Sequence, residues 1–133
     1  MLESGSPSRL LSQAWALAVS FILVPLPPQM TYADETFRQL NGEQIKAMFV
    51  GMEFTDTFHW ADVYGGDGHI TSYYLEKKGD GTWRVENDQL CITLNNDERC
   101  YLVWLSGATI ELRDVDGTGQ TIDGVLQRPS KRN

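Results

Sequence analysis

After Gly51 the chain alternates apolar and polar residues in short runs broken by turn-forming residues, the period of a strand with one buried face. From Phe54 to Tyr64 the residues Phe54, Phe58, Trp60 and Tyr64 share one parity, which predicts a single strand. Gly65-Gly66-Asp67-Gly68 predicts a turn, Ile70 to Glu76 a second strand, and Lys78-Gly79-Asp80-Gly81 another turn. Thr82 to Glu86 carries Trp83 and Val85 on one face, and Asn87-Asp88 turns the chain into Leu90-Cys91-Ile92-Thr93-Leu94. Beyond Asn95-Asn96, the run Arg99 to Trp104 resumes strand-forming residues, and Ser106-Gly107 turns. Thr109 to Arg113 then directs Ile110 and Leu112 inward, Asp116-Gly117-Thr118-Gly119 turns, and Thr121 to Leu126 closes the domain.

Strands joined by tight turns predict consecutive antiparallel hairpins. The expected fold is all-β with one short N-terminal helix: a small antiparallel up-and-down β-barrel or sandwich of about seven to eight strands. Strands this short leave an interior just wide enough for side chains. A filled core is therefore expected, with function on the rim, the loops or the outer wall.

The helix is read from Asn41 as N-cap, Gln44 in the capping-box position, Ile45, Met48 and Phe49 on one face, and Gly51 as the stop. A helix of two to three turns does not hold alone, so its apolar stripe must pack on something.

The chain has two cysteines, Cys91 and Cys100. With Asn95-Asn96 as a two-residue hairpin loop, residue 94 pairs with 97, 92 with 99, and Cys91 with Cys100. That pair falls at a non-hydrogen-bonded position, where Cα atoms approach to about 4.5 Å, and the register predicts a cross-strand disulfide. A metal site would need two further ligands beside the thiols, and a redox pair is more often C-x-x-C, so the bond is read as a structural staple.

If Leu90, Ile92, Leu94, Tyr101, Val103 and Leu105 face inward, then Leu102, Trp104 and the disulfide share the outer wall; the opposite assignment is also open. A large aromatic there needs a cover. Either the helix lies over it, which is the favoured expectation, or Trp104 and Leu102 form a partner surface.

Residues Leu10 to Leu26 form an apolar run preceded by Arg9 and followed by Pro27-Pro28 and Thr31-Tyr32-Ala33. This is the pattern of a secretory signal with its cut after Ala33. The alternative is a retained anchor, for which the run is short and interrupted by Ser12, Gln13, Ser20 and Pro25. The expected organisation is a signal peptide over 1–33, one β-barrel domain over 34–128 and a flexible polar tail over 129–133. Export to the periplasm or the medium suits a disulfide, and no stable membrane insertion is expected once the signal is removed.

Eleven Lys and Arg against eighteen Asp and Glu give a net charge of −7, and Glu3 and Arg9 cancel within the leader. An acidic surface without a basic stripe repels phosphate backbones, so nucleic acid is excluded as a partner.

The richest polar stretch, TDTFHWADVYGGDGH, holds Asp56, Asp62, Asp67 and both histidines, His59 and His69. Such a cluster could bind a divalent ion and support a small metal-dependent hydrolase; the competing reading is a solvated strand face and turn residues. The run Asp114 to Gly119 lacks the glycine position and the closing glutamate of a calcium loop. There is no G-x-S-x-G, phosphate loop or dinucleotide fingerprint. The candidate binding residues are Trp104, Leu102, His59, Trp60 and His69; no catalytic residue, metal or cofactor is assigned.

The elements LNGEQIKAMFVGMEFTD, GTWRVENDQLC and CYLVW resemble small exported bacterial domains of unknown function with a calycin-like outline, over nearly all of residues 37 to 128. The resemblance implies an exported β-domain with a cysteine pair, and no catalytic residue. A weaker similarity is to exported lysozyme inhibitors, small disulfide-bonded β-barrels that insert a loop carrying a Ser-Gly motif and a lysine into the enzyme. The nearest stretch here, Leu75 to Gly81 with Lys77 and Lys78, lacks that serine. The expected function is a non-catalytic binding module of unknown partner. The alternatives are inhibition of a basic wall-degrading enzyme, which an acidic barrel suits electrostatically, and the metal-dependent hydrolase.

Overall fold

A computed structural model of the chain describes residues 36–132, together with Gly5, Ser20 and 22–28. Residues 1–32 form a unit separate from 33–133, and most of the signal-peptide reading, 1–33, lies outside the described residues. Residues 22–28 adopt no regular element. Among the described residues no helix is long and apolar enough to cross a membrane.

The second unit is a closed antiparallel barrel. Its eight strands are β2 (Glu53–Thr55), β3 (Trp60–Tyr64), β4 (His69–Tyr74), β5 (Lys77–Glu86), β6 (Gln89–Leu94), β7 (Asp97–Ser106), β8 (Thr109–Asp114) and β9 (Ile122–Gln127). Each pairs with its successor, and β9 closes the ring on β2 through Phe54↔Leu126 and Thr55↔Val125. A ninth strand, β1 (Arg38–Gln39), pairs with the far end of the long strand β7, beyond the reach of β6.

The turn chemistry explains the register. Asn87-Asp88 and Asn95-Asn96 have positive φ at both residues, as two-residue hairpins require to match strand twist. Cys91 stands opposite Cys100 in the ladder, their Cα atoms are 4.0 Å apart, and they are disulfide-bonded. Leu90, Ile92, Tyr101 and Val103 lie in the core, which sets the disulfide, Leu102 and Trp104 on the outer wall.

Three expectations are corrected. The Lys78–Gly81 stretch is inside β5, and the turn lies at Leu75-Glu76. Leu75 holds a positive φ because its N–H bonds the carbonyl of His59 in a neighbouring loop, a long-range contact that local propensity does not carry. Phe54 to Tyr64 is two strands rather than one. Asp56 Oδ1 accepts from the N–H groups of Phe58, His59 and Trp60 and curls the chain between β2 and β3, which leaves Phe58 86% exposed.

The third correction concerns the helix. α1 (Gly42–Phe49) has the expected capping box, and the chain turns away just past it at Gly51, whose φ is positive. It does not lie over Trp104. It crosses one mouth of the barrel, its first N–H bonded to Asp88 and the chain just past its end to Tyr64. Ile45 and Phe49 are fully buried, and the Phe49 ring meets Tyr64 edge-on at 4.9 Å. A barrel end exposes more apolar surface than an outer wall, and the stripe goes there. Trp104 is covered instead by Arg113, whose guanidinium stacks 4.3 Å above the ring, and is flanked by β1.

Candidate functional site at the open mouth of the barrel

With α1 closing one end, the other mouth is ringed by the β2–β3, β4–β5, β6–β7 and β8–β9 loops. The core is filled up to this mouth, where Phe54, Ile92, Tyr101 and Leu112 are nearly fully buried, and a half-open hollow begins beyond them. A cavity of about 360 Å³ opens between the strands, within the size range of small-molecule sites. Its inner wall is formed by Phe54, Ile92, Tyr101 and Leu112, and its rim by Trp60, Tyr74, Leu94 and Ile122. Trp60 is held edge-on against Phe54 at 5.0 Å.

One charged side chain lines this cavity. Asp62 lies on the inward parity of β3, between Trp60 and Tyr64, and its ladder partner Ser72 hydrogen-bonds its carboxylate. Burial pushes the Asp62 carboxyl above the ordinary value, and the Ser72 bond offsets this only in part. Farther in, the Tyr64 hydroxyl is fully buried without a hydrogen-bond partner. Its pKa is raised well above the usual tyrosine value by burial and by the nearby Asp62 and Tyr101. Tyr101 itself is shifted upward, chiefly by burial.

Of the predicted site residues, His59 and Trp60 line one hollow, with Phe58, Tyr73 and Arg132, while His69, Leu102 and Trp104 lie elsewhere. Trp60 lines the mouth. His59 stands just outside it in the β2–β3 loop, its Nδ1 2.8 Å from Asp56 Oδ2. Burial acts to raise the Asp56 carboxyl, but the three backbone amides and the His59 ring outweigh it and hold the group well below the carboxylate range. His69 pairs with Asp67 at 2.9 Å at the opposite end of the β3–β4 hairpin. Five residues at about 3.4 Å each put roughly 17 Å between the two ends, so the histidines do not share a site. Among the described residues the one cluster with metal-ligand spacing is Cys91, Glu98 and Cys100, and there both sulfurs are committed to the disulfide.

Trp104 and Leu102 sit on the far wall of β7. Arg113 links Trp104 to Glu111, with Nη2 2.6 Å from the carboxylate. The neighbouring disulfide lies beside the two-pronged ion pair of Arg84 with Glu98, both bonds 2.9 Å, which spans from β5 to β7. On the side of β2 the C-terminal tail is anchored rather than free. Arg132 Nη1, Gln127 Nε2 and Ser130 bond the buried Glu53 carboxylate, and Arg132 lies 4.0 Å over the Tyr73 ring. Burial tends to raise the Glu53 carboxyl, yet these bonds bring it below its ordinary value. Lys77 and Lys78, the residues that the similarity to lysozyme inhibitors singles out, lie in β5, and no long loop projects from that position.

Sequence reasoning grouped Asp62 with the histidines and passed over its position. In Trp60-Ala61-Asp62-Val63-Tyr64 the acid occupies the parity of the two aromatic rings, and a charge on the apolar face of a strand is the legible signal. Ser72, Tyr74 and Tyr101 carried none, because their convergence depends on barrel closure.

Comparison with known proteins finds no family model, no curated protein and no solved structure that matches the chain.

Proposed function

We propose that the chain is an exported, non-catalytic binding module and that its ligand enters the open mouth of the barrel. The observation that carries this reading is the cavity of about 360 Å³ lined by aromatic and aliphatic side chains around a single acid. Such a concave, mostly apolar surface with a few convergent polar groups is the usual form of a ligand site. Exposed apolar side chains gather at the same end: Phe58, Leu75 and Val115 on the loops and Tyr74 at the end of β4. The separation of the two histidines supports binding over metal-assisted hydrolysis, and the placement of Lys77 and Lys78 within β5 weighs against a loop-insertion inhibitor. The outer wall at Trp104, already covered by Arg113, is the weaker candidate for a partner surface. The disulfide supports an oxidising compartment, the periplasm or the medium, and the calycin-like outline of the resemblance fits a barrel that holds its ligand at one end.

The test is binding of the neutral fluorophore N-phenyl-1-naphthylamine to the full, oxidised chain. The expected result is a saturable rise in fluorescence that Leu94→Trp, which fills the rim, removes while leaving a cooperative melt. Absence of any rise, or a rise unaffected by Leu94→Trp, overturns the proposal.

A further inference from the structure

The cavity presents an unusual combination: a half-buried carboxylate among apolar side chains with no cation to pair with it. Among the described residues no lysine, arginine or histidine lines the cavity, and Asp62 takes part in no ion pair. Its one hydrogen-bond partner is the neutral Ser72 hydroxyl. Removing an ion from water without a counter-charge is costly, and such groups in folded proteins are ordinarily paired or bound to a ligand. A binding protein gains from leaving the pairing to its ligand, because the attraction is realised only when the site is filled.

The surroundings specify the counter-ion further. The aromatic rings of Phe54, Trp60, Tyr74 and Tyr101 stand around the same space as Asp62. Ring faces attract cations through their quadrupole, most strongly when water is excluded. A hard inorganic ion such as Ca²⁺ or Mg²⁺ needs several oxygen ligands, and Asp62 and Ser72 supply too few. The approach also carries acids, although Lys77 stands opposite Tyr74 at the rim and Asp56 is paired with His59. The loops around this mouth, at residues 56–59, 75–76, 95–96 and 115–121, contain Asp56, Glu76 and Asp116 and no lysine or arginine, and the net charge of −7 favours a cationic ligand over an anionic one.

We infer that the cavity is a site for a small organic cation, a protonated amine or a quaternary ammonium group, with its charge against Asp62 and its alkyl part among the aromatic rings. This deepens the proposed function and rests on the open mouth being the binding site.

The experiment is calorimetric titration of the full, oxidised chain with choline and with 3,3-dimethylbutan-1-ol, which has nearly the same shape and no charge. Wild type, Asp62→Asn and Asp62→Glu are compared; the asparagine keeps the side-chain volume, and the glutamate restores the charge if the asparagine variant is poorly folded. The expected result is that choline binds the wild type at least about tenfold more tightly than the alcohol does. Asp62→Asn abolishes that preference and Asp62→Glu retains part of it. Equal affinity for the two probes, or a choline affinity indifferent to Asp62→Asn, overturns the inference. No choline binding also overturns it, and the naphthylamine titration then separates the two readings. If the fluorophore still binds and Leu94→Trp removes it, the mouth remains a site for neutral ligands; if it does not, both readings fail.

Discussion

At the scale of single residues, Asp62 is the side chain whose chemistry is most at odds with its surroundings. Its carboxyl is pushed up by burial, so the folded state holds that proton more tightly than the unfolded chain, for which 3.8 is the reference. The sign follows. Stability associated with Asp62 is greatest below pH 3.8 and is lost as pH rises through the higher folded value, because the ionised form is then confined beside Ser72, Tyr64 and Tyr101 without a counter-ion. Asp62→Asn is therefore expected to melt at a higher temperature than wild type at pH 7, with the difference shrinking towards zero as the acid is titrated below pH 4. Thermal scans by circular dichroism across that range check this, and an unchanged or lowered melting temperature at pH 7 contradicts it. The alternation of Trp60, Asp62 and Tyr64 made the placement of this acid readable from the sequence. Its lack of a partner was not readable, because the side chains that could have supplied a cation come from other strands.

At the scale of elements, the cysteine hairpin was the most legible part of the chain. Two asparagines with positive φ set a two-residue loop, the loop sets the register, and the register faces Cys91 with Cys100. Closing so short a loop removes limited chain entropy, about 2 to 3 kcal/mol at most. Since the bond lies on the outer wall, the double substitution Cys91→Ala, Cys100→Ala is expected to cost no more than about 3 kcal/mol in urea unfolding and to leave ligand binding at the mouth intact. A larger loss, or loss of fluorophore binding, would show that the staple shapes the cavity. The helix was equally legible as a helix and illegible in its destination. Asn41, Gln44 and Gly51 encode its ends locally, whereas the choice between the outer wall and the barrel mouth is a competition between surfaces. Phe49 found Tyr64 and Phe54 inside, and Trp104 found Arg113. The β4–β5 turn failed for a related reason: glycines at 79 and 81 suggested it, but Gly81 serves a close approach of β5 to β6, where a Cβ would fall against the Thr93 carbonyl.

At the scale of the whole molecule, one seam turns a meander into a barrel. β2 and β9 come from opposite ends of the domain, and their pairing closes the ring and creates the cavity. Gly124 sits in that seam, where an added Cβ would lie 2.7 Å from both the Phe54 ring and the Thr55 carbonyl. Backbone cannot yield as a flexible side chain does. Gly124→Ala is expected to destabilise the fold by about 1 to 3 kcal/mol, the usual cost of overpacking, and to speed amide exchange in β2 and β9 before the cysteine hairpin. Exchange that rises uniformly over all strands would contradict a local opening of the seam.

The sequence by itself determined what depends on neighbours in the chain: the strand period, the paired-asparagine loop, the disulfide register, the ends of the helix and the acidic surface. Tertiary structure alone decided where the helix stripe went, what covered Trp104, that Leu75 could take up a strained turn, and that one end of the barrel stayed hollow around Asp62. Those outcomes hinge on which surfaces meet when the ring closes, and closure joins residues some seventy positions apart, such as Glu53 and Gln127, whose pairing no local pattern records.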